Sequence, residues 1–280
     1  QLSSHRQIDQ GVASGAVALA PVQQWFFQQP MPARQHWNQS LLLHPRQPIE
    51  AAQLEQALHT LLTHHDALRL RFEQHWQQAY AEPPVDSLLW HKQAACGDEL
   101  HSLCEQAQRS LDLQNGPLLR ALLVELPDHS QRLLLVVHHL AVDGVSWRVL
   151  LEDLQQFYST PAQPPQAKTS AYQAWTARLS DAAQARVDQL GLWQQQLADA
   201  SSDLPQDRAD AGLHSRDGRT LELKLNQTLT RQLLQVAPAT YRTQVNDLLL
   251  SALARVICRW SGQVSSLIQL EGHGREELFA

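Results

Sequence analysis

The segment LLLVVHHLAVDGVSWRVLLEDL, residues 133–154, is the feature that most limits how this chain can fold. It opens with consecutive Leu and Val residues, which are typical of a buried strand, and two histidines stand where that run ends. Asp143 and Gly144 then indicate a turn. From Trp147 onward, apolar residues recur at helical spacing. The segment therefore predicts a buried strand, a tight turn and a helix with an apolar packing face.

The two histidines cannot serve the same site if they end a strand, because consecutive side chains of a strand point to opposite faces. One is predicted to face the core and the other an opening. This geometry also counts against a zinc pair, whose ligands must converge, and no metal site is predicted. His139 lies between the strand and the turn, where a neutral imidazole can act as a general base. From the residues alone, a buried histidine bonded to a backbone carbonyl is an equally good interpretation.

The rest of the chain alternates between helical and strand-like patterns, which predicts an α/β or mixed α+β class. Apolar residues at helical spacing occupy 50–64, 98–113, 170–200 and 243–260. Strand-like patterns occupy 36–43, 66–74, 86–91, 118–126, 131–139, 219–225 and 264–271. The Pro- and Gln-rich stretch at 159–168 is predicted to link two lobes.

Composition excludes several classes of function. The 280 residues suffice for two lobes with a real core, and the net charge of −6 gives no basic excess for nucleic acid. No apolar run approaches the roughly 20 residues that span a bilayer. The N-terminal residues lack a signal-peptide pattern. Three cysteines without CxxC spacing fit a reducing compartment, so a cytoplasmic protein that binds neither membrane nor nucleic acid is expected.

HHLAVDG, residues 138–144, resembles the HHxxxDG signature of the condensation-domain superfamily of non-ribosomal peptide synthetases. The longer segment DGVSWRVLLEDL and the segment EGHGRE, 271–276, are similar to the epimerization-domain versions of the family motifs. Further segments follow in the family's order, and the resemblance runs from about Ala18 to the end of the chain. They are APVQQWFF (20–27), HWNQSLLL (36–43), HHDALRLRF (64–72) and VNDLLLSALA (245–254).

This resemblance implies a two-lobed fold like that of chloramphenicol acetyltransferase. Residues 1–17 would be a linker from a preceding carrier domain, 18–158 the N-terminal lobe and 159–168 the inter-lobe linker. Residues 169–280 would form the C-terminal lobe. Because the family's domain continues beyond the segment that EGHGRE resembles, this second lobe is expected to be incomplete.

The resemblance also implies an epimerase acting on the Cα of an aminoacyl or peptidyl thioester. The thioester is carried on the 4′-phosphopantetheine arm of a peptidyl carrier protein, so the cofactor belongs to the partner. Neighbouring synthetase domains are the other expected partners. Inversion needs proton removal from one face and delivery to the other, which two groups flanking the Cα provide most simply.

His139 and Glu271 are the predicted catalytic pair, one from each lobe, with Glu271 made a useful acid or base by desolvation in a cleft. From the residues alone, Glu271 is also compatible with an exposed carboxylate that pairs with Arg275. Gly272 and Gly274 are predicted to let the substrate or pantetheine approach the backbone closely, and Trp147 is predicted to lie along the same approach.

The predicted supporting residues are His138, Asp143, Gly144 and Arg69. In the family the aspartate of the signature is structural and pairs with an arginine, and Arg69 is the candidate partner of Asp143. The Asp143–Gly144 turn is expected to use a backbone conformation that glycine permits.

Two alternatives remain open. One is a condensation domain that joins two carrier-bound substrates, against which the DGVSW and EGHGRE segments argue. The other is an inactive module that only binds the carrier protein, against which the intact His139 and Glu271 argue.

Overall fold

The computed structural model describes residues 8–73, 78–82, 87–208 and 217–275. Internal contacts divide the chain into two units. The first is Gln1–Ala185 together with His273–Ala280, and the second is Arg186–Gly272. The predicted mixture of helices and strands is confirmed.

All strands of the described residues belong to the first unit. In chain order they are β1 (Gly15–Val17), β2 (Asn38–Leu43), β3 (Leu70–Phe72), β4 (Gln78–Tyr80), β5 (Leu89–Gln93), β6 (Leu119–Glu125) and β7 (Gln131–His138). Its helices are α1 (Pro21–Gln28), α2 (Ala51–His64), α3 (Gly97–Arg109), α4 (Gly144–Ser159) and α5 (Tyr172–Gln184). Most predicted elements of the N-terminal half are present. Asp86, which begins one predicted strand, lies outside the described residues.

The larger sheet has the strand order β2-β7-β6-β5, with β5 parallel to β6 and the other neighbours antiparallel. Alternation along β7 gives each face of this sheet its own core. Leu133, Leu135 and Val137 pack with α2 and α4 on one face. Leu134 and Val136 pack with residues of α3 on the other face. Both faces are therefore apolar, which explains the nearly continuous Leu and Val run of β7.

Helices α2 and α4 are held on the sheet by the apolar stripes that the sequence predicts. Leu58 of α2 is fully buried, and Leu150 and Leu154 of α4 are nearly so. Burying one such side chain stabilises the fold by about 1.5–3 kcal/mol. The N-terminus of α4, where the site lies, is thus fixed by packing along the whole helix.

The smaller sheet has the order β1-β4-β3 and its own core, which includes Phe26, Phe27 and Phe72. Strand β1 lies within the range predicted as an N-terminal linker, of which residues 1–7 are outside the described part. The stretch predicted to link the lobes, 159–168, carries Lys168 at its end. The Lys168 ammonium lies 3.1 Å from a carboxylate oxygen of Asp66.

Among the described residues of the second unit, the regular elements are helical and are joined by segments without regular structure. A short 3-10 helix, Val187–Gln189, precedes the others. The others are α6 (Leu190–Leu197), α7 (Gln227–Arg231), a π-helical turn (Gln232–Val236), α8 (Ala237–Tyr241) and α9 (Val245–Ser261). The predicted helix at 243–260 is confirmed as α9, whose apolar stripe includes the exposed Leu249, Leu253 and Trp260.

Two strands predicted in this half, at 219–225 and 264–271, are wrong. The described residues there form no strand, and Leu221, Leu223 and Val264 are almost fully exposed. A strand needs a ladder of backbone hydrogen bonds with a neighbour. The described residues here show no such ladder, and the Leu267 amide makes a single backbone bond, at 2.8 Å, to the carbonyl oxygen of Ser201. Within the same described part of the chain, no helix has the length and apolar character needed to cross a membrane.

Candidate active site

The two histidines of the signature diverge where β7 ends, as the sequence predicts. Strand β2 pairs with β7 so that Asn38 lies opposite His138. The His138 amide donates to the carbonyl oxygen of Leu118, on the β6 side, and the His139 amide donates to the carbonyl oxygen of Trp37, on the β2 side, both at 2.9 Å. The backbone therefore aims each imidazole at a different face of the sheet.

His138 is a structural histidine. Its side chain is fully buried, Nε2 lies 2.8 Å from the carbonyl oxygen of Arg34, and Nδ1 accepts from the amide of Leu140 at 3.1 Å. A carbonyl only accepts and an amide only donates, so the neutral ring carries its proton on Nε2. Burial lowers the pKa of His138 to about 4, with neighbouring His139 acting in the same direction and the bond to Arg34 against it.

His139 is half-buried and presents a different tautomer. Its Nδ1 lies 2.9 Å from the carbonyl oxygen of Val142, so Nδ1 must carry the proton of the neutral ring. Nε2 then holds the lone pair. The amide nitrogen of Gln39 lies 3.3 Å from this Nε2. The nitrogen able to accept a proton from a substrate is therefore Nε2.

Trp147 fixes the orientation of the Gln39 amide. The indole N–H, which can only donate, lies 2.9 Å from Gln39 Oε1, so the Gln39 NH₂ group faces His139. Trp147 is only 9% exposed and belongs to the core beneath the site. The prediction that it lines the approach of pantetheine does not fit this burial, because its side chain packs in the core and bonds Gln39.

Asp143 closes the turn between β7 and α4 as the N-cap of the helix. Its Oδ1 accepts from the amide and from the hydroxyl of Ser146, both at 2.7 Å. Arg275 donates to the same carboxylate, at 2.8 Å to Oδ2 and 3.3 Å to Oδ1. Burial alone would raise the pKa of Asp143, but the bonds from Arg275 and Ser146 outweigh it and lower that pKa to about 2. The carboxylate is therefore ionised and structural.

The predicted pairing of Asp143 with Arg69 is wrong. Arg69 is buried in the first unit and bonds the carboxylate of Asp66 and the carbonyl oxygens of Ala13 and Ala81. These acceptors lie on segments at the small sheet. Arg69 therefore joins the N-terminal segment to that sheet, and Arg275 is the arginine that holds the turn.

Arg275 brings the two sequence motifs together. Besides Asp143, its guanidinium contacts the Ser146 hydroxyl at 2.9 Å and the carbonyl oxygen of His273 at 3.2 Å. Its own amide donates to His273 Nδ1 at 2.9 Å. The HGR segment thus forms a local turn against the first residues of α4. Glu276, the last residue of the EGHGRE motif, lies outside the described residues.

The two motifs differ in whether the backbone conformation at their glycines needs a glycine. Gly144 is the first residue of α4 and is not among the positive-φ residues of the described chain, so the prediction of a glycine-only conformation there is wrong. A Cβ at Gly144 would have nothing within 4 Å. Gly274 has φ of 67°, in the left-handed region that favours glycine. The approach of substrate at Gly272 and Gly274 stays a prediction, as does the pairing of Glu271 with His139.

One group of side chains could hold a metal ion. Among the residues that the structure describes, His64, His65 and Asp153 bring one potential ligand atom each to within 4.8 Å of one another. His65 Nε2 lies 2.6 Å from Asp153 Oδ2, a contact that joins the end of α2 to α4. Burial, followed by the charge of His65, lowers the pKa of His64. Sequence reasoning missed this group because two of its members stand at the end of α2 and the third in α4, far apart in the chain.

Gln39 and Arg275 are the other site residues whose roles the sequence did not reveal. The alternation of HWNQSLLL places the side chains of Gln39 and Asn38 on opposite faces of the strand. The contact between Gln39 and His139, however, depends on the register of β2 against β7. That register is a tertiary property. Arg275 stands in a recognised motif, yet its partner is distant in sequence.

Comparisons with known proteins place these features in a family. The model of the family described as Condensation domain matches residues 13–279. One of the linear gramicidin synthase proteins of Brevibacillus parabrevis is 44% identical over 97% of this chain, which spans 6% of that protein. Surfactin synthase subunit 1 of Bacillus subtilis (strain 168) is 36% identical over 98% of this chain, which spans 8% of that protein.

Solved structures show the same likeness. An epimerization domain from the third module of a tyrocidine synthetase matches with a TM-score of 0.87 and 31% identity, over 97% of this chain and 65% of that chain. The condensation domain from the monacolin K polyketide synthase matches with a TM-score of 0.67 and 14% identity, over 91% of this chain and 61% of that one. The second likeness concerns the fold alone.

Proposed function

The chain belongs to the condensation-domain family, and from that premise we propose that it epimerizes the Cα of an aminoacyl or peptidyl thioester carried by a peptidyl carrier protein. The observation that carries the proposal is the protonation pattern of His139. Nδ1 is bonded to a backbone carbonyl, which leaves Nε2 as a proton acceptor on a half-buried ring. The 31% identity to a domain described as an epimerization domain supports the choice of this reaction within the family.

In this mechanism His139 Nε2 removes the Cα proton of the substrate. The resulting imidazolium keeps its Nδ1–H bond to the Val142 carbonyl, which stabilises the added positive charge. The strand, the backbone bond to Trp37 and the capped turn hold the ring still, so little reorganisation is needed when the proton moves.

Glu271 is the proposed second group, which returns a proton to the opposite face of the Cα. Its support comes from the family resemblance and from its covalent connection to Arg275, four residues later, which is bonded to the turn that follows His139. In the described structure Glu271 is exposed and not desolvated, so its proposed role rests on the proton transfer that a positioned carboxyl group provides.

The phosphopantetheine arm supplies the thioester, whose carbonyl oxygen takes up negative charge when the Cα proton leaves. The open space at Gly144 fits the approach of a slender arm, since a Cβ there would contact nothing. The expected partners are the carrier protein and the neighbouring synthetase domains.

A condensation domain would use the same imidazole on an amine, so the test must separate the two reactions. The full-length protein is incubated in D₂O with a carrier-bound L-aminoacyl thioester and no acceptor. We expect deuterium at the Cα and a D/L mixture. His139→Ala should lower the rate of exchange, and Glu271→Gln the rate at which the D enantiomer forms, each by at least about a hundredfold, the usual range for removing a general acid or base.

His59→Ala and Glu152→Gln are the matched controls, because both residues are exposed on helices of the first unit. They should exchange like the wild type. Wild-type rates in His139→Ala and Glu271→Gln would remove these two residues from the mechanism. Peptide bonds formed from two carrier-bound substrates, without Cα exchange, would instead identify a condensation domain.

A further inference from the structure

Gln39 contacts the reactive nitrogen of the proposed base, although no motif assigned it a role. It lies in β2, where its amide nitrogen is 3.3 Å from His139 Nε2 and its amide oxygen is 2.9 Å from the indole nitrogen of Trp147. We propose that Gln39 is a positioning residue that keeps His139 Nε2 unprotonated before the reaction and opposes retention of the proton afterwards. This inference rests on the proposed function.

The direction of each hydrogen bond follows from its two ends. The Trp147 indole can only donate, and the Val142 carbonyl can only accept. Between them, Gln39 must therefore accept at Oε1 and donate from its NH₂ group, and His139 must accept at Nε2 and donate from Nδ1. Only the neutral ring with its proton on Nδ1 satisfies every member of this chain.

The chain is broken when Nε2 gains a proton. The Nε2–H of the imidazolium then faces the NH₂ group of Gln39, and two donors confront each other. Rotating the Gln39 amide would relieve this conflict, but the NH₂ group would then face the indole N–H. Trp147 is held in the core, so it cannot turn away. The arrangement therefore favours departure of the proton that Nε2 has taken from the Cα, which returns His139 to the form that acts on the next L substrate.

The length of the Gln39–His139 contact suits this role. A separation of 3.3 Å is longer than the usual 2.9–3.0 Å for an N–H donor, so the bond is weak and a substrate can displace it at little cost. The bond of Gln39 to Trp147, at 2.9 Å, is the stronger of the two. The amide thus stays oriented by the indole while the substrate is at Nε2.

The test is the pH dependence of deuterium exchange at the substrate Cα, measured on the full-length protein. Gln39→Glu keeps the shape of the side chain but places a carboxylate beside Nε2, where it accepts from the protonated ring. An opposite charge at this distance moves the acid limb of the rate profile up by about 1–3 pH units. Below that limb, the rate should fall by about 10- to 1,000-fold. Gln155→Glu, which adds the same charge at an exposed position of α4, should leave the limb in place.

Trp147→Phe provides a second route to the same conclusion, since it frees the Gln39 amide to rotate and accept from the protonated ring. As a single substitution, Trp147→Phe should move the acid limb to higher pH. Combined with Gln39→Met, which has no amide to rotate, it should leave the limb where Gln39→Met alone has it. An acid limb that stays in place in both Gln39→Glu and Trp147→Phe would overturn the inference, even if the rate fell equally at every pH. If faster hydrogen exchange along β2 shows that Gln39→Glu disturbs the strand, the acid limb of Trp147→Phe decides whether the inference stands. Absence of Cα exchange in the wild type would instead refute the proposed function.

Discussion

Replacing Asp143 by asparagine would remove the charge that holds Arg275 while leaving a side-chain oxygen to cap α4. In the wild type both oxygens of the carboxylate accept from Arg275, and Oδ1 also accepts from the amide of Ser146. Asparagine caps helices about as well as aspartate, so the bond to Ser146 should persist. The variant therefore isolates the contribution of the ion pair to the stability of the turn.

The magnitude follows from the pKa of Asp143, which the bonds from Arg275 and Ser146 lower to about 2 against the opposing effect of burial. A shift from 3.8 to about 2 corresponds to about 2.4 kcal/mol as an upper bound. The two side chains are 29% and 47% exposed, so solvent screening reduces the pair to about 1 kcal/mol. Because the pKa is lowered in the folded state, this stabilisation is complete above pH 3.8 and is lost as the pH falls towards 2.

Hydrogen exchange followed by mass spectrometry on the full-length protein measures how much the Asp143–Arg275 pair stabilises the first turn of α4. At pH 7, amides in the first turn of α4 should exchange about fivefold faster in Asp143→Asn than in the wild type, the equivalent of about 1 kcal/mol. The difference should shrink in 1 M salt. Arg275→Met should add less in the Asp143→Asn background than in the wild type, because of its contacts with α4 only the bond to Ser146 is then left to lose. Arg148→Met, an exposed arginine of the same helix, is the control. Equal exchange in Asp143→Asn and the wild type would refute the role given to this pair.

Two further predictions concern the histidine and the glycine that flank the turn. Because burial above all lowers the pKa of His138 to about 4, its contribution to the free energy of unfolding should be lost as the pH falls from 6.5 towards 4. His138→Leu should weaken that pH dependence in thermal melts and cost roughly 2 kcal/mol at pH 7, since two partly buried backbone groups lose their partner. An unchanged pH dependence would contradict this. Gly144→Ala should leave hydrogen exchange in α4 normal but slow deuterium exchange into the substrate by at least about tenfold, and a normal rate would exclude approach of the arm there.

The part of the fold that local pattern determines was predictable from the sequence. Helix α2 occupies Ala51–His64 against a predicted 50–64, and β7 ends at His138, one residue before the predicted end. In both elements the spacing of the apolar residues matches the geometry of a helix or a strand, and these residues are buried in the core at the large sheet, as expected. The divergence of His138 and His139 followed from the same alternation.

Predictions failed where the outcome depends on a distant partner. RTLELKL alternates as cleanly as a strand, yet no described neighbour of its unit pairs with it, and Leu221 and Leu223 are almost fully exposed. Arg69 was a reasonable partner for Asp143 by charge, but Asp66 lies one turn away from it and Arg275 reaches Asp143 from another segment. Local sequence determines neither the pairing of a strand nor the partner of an ion pair.

The proposal that His139 exchanges the substrate Cα proton is tested most directly by running the reaction from both enantiomers. The full-length protein receives the L-aminoacyl thioester in D₂O and, separately, its D enantiomer. Both should converge on the same D/L ratio with one deuterium at the Cα. His139→Ala should leave the L substrate unlabelled and should convert neither enantiomer into the other. Retention of the starting configuration without deuterium, in a wild-type protein that still binds the loaded carrier, would contradict the proposed chemistry.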